Sequence, residues 1–210
     1  MHNIPDLSQK ELDIEAIAKQ ASGNEPVLAA LLEGISPASK KRTIRENSFK
    51  VLMFLAENQP EILGPHWDYF TELLQSDNGF SQYAAIHLIA TLVQADEAGR
   101  FEVIFDTFYN LLDDKSVMVA GHVAGVSGQI ATAKPHLQTR ITERLLTIDN
   151  TQHEQERKDL IKARAIESMD AYFETAESRD DIITFVRSQL DCTSPKTRKV
   201  AKTFLNKWKG

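Results

Sequence analysis

The feature that most constrains the fold of this chain is a recurrence of paired helical segments at a spacing near forty residues. The first members of the pairs are leucine-rich and end alike: "PVLAALLEGI", "DYFTELLQSD", "EVIFDTFYNLLDD", "QTRITERLLTID" and "ITFVRSQLDC". The equivalent position falls at Leu31, Leu73, Leu111, Leu145 and Gln189, with successive spacings of 42, 38, 34 and 44 residues. The second members are "SPASKKRTIRENSFKVLMFLAEN", "SQYAAIHLIATLVQA", "VMVAGHVAGVSGQIA", "EQERKDLIKARAIESMDAYFE" and "SPKTRKVAKTFLNKW". A single amphipathic pair cannot bury its own apolar faces, so each must stack on a neighbour to complete a core.

The local signals agree with an all-α chain. Only 9 Gly and 7 Pro interrupt long stretches rich in Ala, Leu, Glu and Lys, and β-branched runs of strand length are scarce. Ser36 with Pro37, Ser81, Ser116, and Ser194 with Pro195 supply the N-cap and first-turn proline expected where second helices begin. Pro and Gly in "ENQPEILGP", "QADEAGR" and "TAKPH" mark the breaks between pairs. A further helix is predicted at 8–21, "SQKELDIEAIAKQA", within a leading segment 1–23 that caps the first pair.

These pairs resemble the helical hairpins of HEAT and armadillo repeat proteins, and "SPKTRKVAKTFL" is most similar to that family's second-helix pattern of Pro, then Arg, then Ala. The resemblance implies an all-α, right-handed superhelix of about five hairpins, one solenoid over 24–208 behind the leading helix. It also implies that second helices line a concave face used to grip partners.

The middle second helix, residues 117–131, poses a sharper question, because Gly121, Gly125 and Gly128 could belong to a phosphate-binding loop. That loop needs Lys and Ser or Thr after its last glycine, and here Gln129 and Ile130 follow. At about 100° per residue, Val119, Val123, Val126 and Ile130 share one stripe and the three glycines lie roughly opposite. The segment therefore reads as a helix with a bare outer face. Three interior glycines cost about 3 kcal/mol relative to alanine, so a flat surface for a partner segment, or for a second copy of the chain, is the functional expectation; crowding within the middle repeat's own surface, or glycine merely tolerated, is the plainer reading. Aligning Ala85 with Ala120 sets His87 and His122 at one repeat position, with Lys50 equivalent in the first pair, as an edge to that groove.

Charge is banded. The net charge is −6, but residues 40–50 hold five basic residues against Glu46, and 192–210 hold six with no acid. Between them, 51–114 hold eleven acidic residues against Arg100. Lys41, Arg42 and Arg45 in the first pair and Lys196, Lys199 and Lys207 in the last are placed to hold acidic groups of a linear partner; a merely solvated helix face is the plainer reading.

Enzyme signatures are missing. Cys192 is the only cysteine and has no histidine beside it, and His87 and His122 lack a third ligand, so no metal, cofactor or catalytic site is expected. The repeated His-Glu pairs of HEAT-like deoxyhypusine hydroxylases are reduced here to His153 and Glu154. A HEAT-like alkylpurine DNA glycosylase, or another nucleic-acid-binding module, is the alternative function; the acidic middle disfavours it. No segment approaches a membrane span, and the single cysteine fits a reducing, cytoplasmic setting. The expected function is non-catalytic binding of another protein or peptide.

Overall fold

The computed structural model describes residues 4–208, which contain α-helices, short 3-10 turns and no strand. They form two compact units, Met1–Phe101 and Glu102–Gly210.

In the first unit, α1 (Ile14–Gly23) precedes α2 (Glu25–Ile35), α3 (Arg42–Asn58), α4 (Pro60–Leu63), α5 (Trp67–Leu74) and α6 (Gly79–Leu92). Helix α1 packs on α3 and α2, α2 pairs with α3, and α5 pairs with α6, which also lies against α3. The leading helix begins later than the expected residue 8. Asp13 Oδ1 accepts the Ala16 amide at 3.0 Å and so sets the start at Ile14, while Asp6 holds Ser8 in a local turn. Asn47, buried on α3, pins that turn by donating Nδ2 to the carbonyls of Leu7 and Gln9 at 3.0 and 2.8 Å.

Two expected helix starts are corrected. Ser36 and Pro37 do not open α3; Ser36 closes α2 through its amide bond to the Glu33 carbonyl at 3.0 Å, and residues 37–41 lie outside the helix. Ser81 does not cap α6, because Asn78 already accepts the amides of Phe80 and Ser81 at 3.1 Å. The Ser81 hydroxyl instead donates to the Ile35 carbonyl at 2.8 Å, tying α6 to α2. The proline-containing break "ENQPEILGP" also holds structure, α4 followed by a 3-10 turn at Gly64–His66, since proline suits a first helical turn. A positive φ, 69°, occurs at Gly99, where the chain turns into the next helix. Asp96 then caps that helix, accepting the amides of Arg100 and Phe101 at 3.0 and 2.9 Å.

Helix α7 (Arg100–Asn110) leads into the second unit, which continues with α8 (Val117–Ala133), α9 (Gln138–Leu146), α10 (Gln155–Asp170), α11 (Arg179–Ser188) and α12 (Pro195–Lys207). Here α10 packs along α8 on one side and α12 on the other, and α11 pairs with α12. Ser194 caps α12 as its sequence predicts, accepting the Thr197 amide at 3.3 Å. Ser116 occupies the N-cap of α8 but makes no side-chain cap bond.

Buried Asp159 organises the joint between α10 and the start of α12. Its Oδ2 accepts from the Thr193 amide and hydroxyl at 3.0 and 2.8 Å, its Oδ1 accepts from Gln155 at 2.9 Å, and its carbonyl accepts from Thr197 at 2.7 Å. Burial works to raise this carboxyl, but the Thr193 and Gln155 bonds outweigh it and hold it below the ordinary aspartate value. Buried Lys162 completes the joint, 3.8 Å from Asp159 and paired with Asp149.

Candidate functional site

Three surfaces on the second helices carry the residues singled out by sequence. The first, in the Met1–Phe101 unit, is a ring cluster on α3 and α6. Phe49 lies 4.9 Å from Tyr83 and 6.3 Å from both Phe80 and His87, measured between ring centroids, and Tyr83 lies 4.6 Å from His87. The Arg45 guanidinium sits 5.3 Å above the Phe80 ring, a contact of the kind that contributes about 0.5–2 kcal/mol. All five side chains remain partly exposed. Burial raises the Tyr83 hydroxyl above the ordinary tyrosine value, so the ring stays neutral.

Among the predicted basic residues of this unit, Arg45 is therefore drawn into the cluster. Its Nε is buried without an acceptor. Arg42 turns away to an exposed i,i+4 pair with Glu46 at 2.7 Å, and Lys41 and Lys50 stand exposed on either side of Arg45 in sequence. His87, expected at a groove edge, is a member of the ring cluster.

The second surface, on α8, corrects the expected single glycine face. Gly121 is open: an added Cβ would meet no neighbouring side chain or other segment within 4 Å. Gly125 is exposed too, and its one neighbour is the Arg164 side chain of α10, whose Cδ would lie 3.9 Å from an added Cβ and whose guanidinium reaches Glu167 at 3.5 Å. Gly128 is buried: a Cβ there would stand 2.6 Å from the Ser168 carbonyl oxygen and 3.0 Å from its Cα. The reason is that α8 has neighbours on two flanks, so its buried arc extends well beyond the valine stripe and reaches Gly128 where α10 closes in. The three glycines consequently do not make a continuous surface for a partner or a second copy. Beside the open half, His122 is held below the ordinary histidine value by burial first and by the Arg164 charge second.

The third surface is a groove of about 410 Å³ between α10 and α12. Its wall and floor include Ile166, Val200 and Phe204, and Lys196, Lys199 and Lys207 rim it. Lys196 stands 3.8 Å from Glu167, and Lys207 pairs with Asp170 at 2.8 Å while lying 4.7 Å from the Trp208 ring. Trp208 donates Nε1 to the same Asp170 at 2.6 Å. Phe204, Phe173 and Trp208 form a triangle of rings, with Phe173 5.0 Å from Phe204 and 4.9 Å from Trp208 and the remaining side 6.5 Å.

The sequence did not single out Phe49, Phe80, Tyr83 or Arg164 as site residues. The i, i+3 and i+7 spacing of Phe80, Tyr83 and His87 was a readable signal for one face of a helix. Trp67 is buried in the first unit, only 4% exposed. Among the described residues no group of three His, Cys, Asp or Glu side chains is arranged to hold a metal ion, and no helix is long and apolar enough to cross a membrane.

No protein-family profile matches this chain, and no curated protein matches it in sequence. Solved structures do. A designed armadillo repeat protein in complex with the peptide (KR)4 is similar at 14% identity and a TM-score of 0.59, over 93% of this chain and 91% of that one. A second designed armadillo repeat protein is similar at 15% identity and a TM-score of 0.56, over 95% of each chain. An engineered protein is similar at 18% identity and a TM-score of 0.50, over 92% of this chain and 87% of the other. At such identities the likeness is one of fold, and with the helical pairs described above it gives this chain the all-α solenoid fold of the armadillo and HEAT type.

Proposed function

We propose that this protein is a non-catalytic binding scaffold that takes an extended peptide segment of another protein on its second helices. The observation that carries the reading is the partly exposed cluster of Phe49, Phe80, Tyr83 and His87 with Arg45 stacked on it. Aromatic rings and arginine dominate binding energy where proteins meet, because they bring large contact areas with few rotatable bonds. Lys41 and Lys50, exposed on the same helix as Arg45 and Phe49, would then steer the partner by charge. The peptide complex of the similar designed protein supports the mode of binding, although not the identity of the ligand.

The test is selection from a random linear-peptide display library, followed by titration of the enriched peptides against wild type, Phe49→Ala and Tyr83→Ala. The expected outcome is micromolar or tighter binding that weakens about tenfold or more in at least one variant, as for a hot-spot residue, with circular dichroism unchanged. A library that yields no binder, or binders indifferent to both variants, overturns the reading.

A further inference from the structure

The geometry points to the groove between α10 and α12 as a docking site for an acidic linear peptide that carries an apolar anchor residue. This rests on the scaffold reading above and adds the chemistry of the partner. The floor is apolar and preformed: Ile166 is fully buried, Phe204 is 3% exposed and packs against Phe173 and Trp208, and Val200 is partly exposed. A volume of about 410 Å³ lies in the range of sites that enclose small ligands or single side chains with their backbone.

The rim supplies the sign. Helix α12 carries Lys196, Arg198, Lys199, Lys202 and Lys207 with no acidic residue. The two carboxylates at the groove are already matched, Glu167 by Arg164 and Lys196, and Asp170 by Lys207 and the Trp208 indole. Arg198 is occupied by the carbonyls of Cys192 and Thr193 at 2.6 and 2.9 Å. That leaves exposed Lys199 as surplus positive charge on the rim of an apolar slot, with exposed Lys202 on the same helix outside the groove, in a chain whose net charge is −6. An anionic segment is attracted to this helix and repelled by the acidic stretch 51–114. The apolar floor distinguishes the occupant from a nucleic-acid backbone, which needs charge without an anchor pocket.

The experiment uses the full chain and three labelled probes: a decapeptide of glutamate pairs alternating with leucine, the same peptide with lysine for glutamate, and a 20-base-pair DNA duplex. Fluorescence anisotropy gives affinities, and amide chemical-shift mapping gives the site. The expected result is binding of the glutamate peptide alone, shifts centred on residues 196–207, and at least a fivefold loss of affinity in Lys199→Glu, whose exposed side chain leaves the melting temperature unchanged. Val200→Ser weakens the same peptide without altering its salt dependence. Equal or tighter binding of the lysine peptide or the duplex, shifts elsewhere, or an unaffected Lys199→Glu variant overturns the proposal. Failure of the glutamate peptide while library-selected peptides still bind at the α3 and α6 rings removes this site and leaves the scaffold function standing.

Discussion

Each unit of the molecule packs two helices through a glycine set against a serine, and the two contacts differ in one respect. In the first unit Gly34 of α2 faces Ser48 of α3, where an added Cβ would lie 2.6 Å from the serine Cβ. In the second, Gly128 of α8 faces Ser168 of α10. The Ser168 hydroxyl crosses to the backbone of α8, sharing its proton between the carbonyls of Ala124 and Gly125 at 2.5 and 3.0 Å. The Ser48 hydroxyl is equally buried but has no partner. The same pair of small residues thus brings helices together in both places, while only the second contact gains a hydrogen bond from the approach.

The comparison breaks most visibly at the glycines. Gly128→Ala places a Cβ against rigid backbone and is expected to lose about 1–3 kcal/mol, read as a fall in the urea midpoint. The serines come next. Ser168→Ala should cost about 1 kcal/mol, whereas Ser48→Ala should be neutral or slightly stabilising because it removes an unpaired buried hydroxyl; equal losses in the two variants would erase the distinction. At the open end of α8 the sign reverses: Gly121→Ala meets no clash and should raise stability by about 0.5–1 kcal/mol through helix propensity.

The smallest effect concerns pH. His122 is lowered in the folded state, so the unfolded chain takes up its proton first as pH falls. Its contribution is intact above the ordinary histidine value of 6.5 and is lost as pH drops through and below it. Comparing denaturation midpoints across that window in wild type and His122→Gln isolates the contribution; identical pH slopes would show that His122 carries none.

Much of this was readable from residue order, for reasons that differ by element. The helical pairs were legible because their apolar positions recur at helical period and their ends carry Pro and Gly, and Ser194 capped α12 as its context predicts. Ser36 and Ser81 were not, since serine caps a helix only when no better-placed side chain or turn takes the amides first, and Asn78 did so for α6. The angular argument identified segment 117–131 as helix, with a valine stripe and a small-residue flank for a neighbouring helix, but placed Gly128 on the bare face. A helix flanked on two sides buries a wider arc, and that arc took in Gly128. The ring cluster has a legible half, the ladder of Phe80, Tyr83 and His87 on α6. Its other half, Phe49 and Arg45, depends on the register between α3 and α6, which no local pattern encodes.

The carboxylate of Asp159 has a consequence for how the chain opens. Neighbouring helices in a repeat array can open separately unless a specific contact couples them. Here the turn that launches α12 is held by a buried anion on α10 through Thr193, and α12 returns the bond through Thr197. Amide exchange in α12 should therefore occur together with that of α10, as one cooperative block, and the walls of the groove between them keep their spacing until both are released.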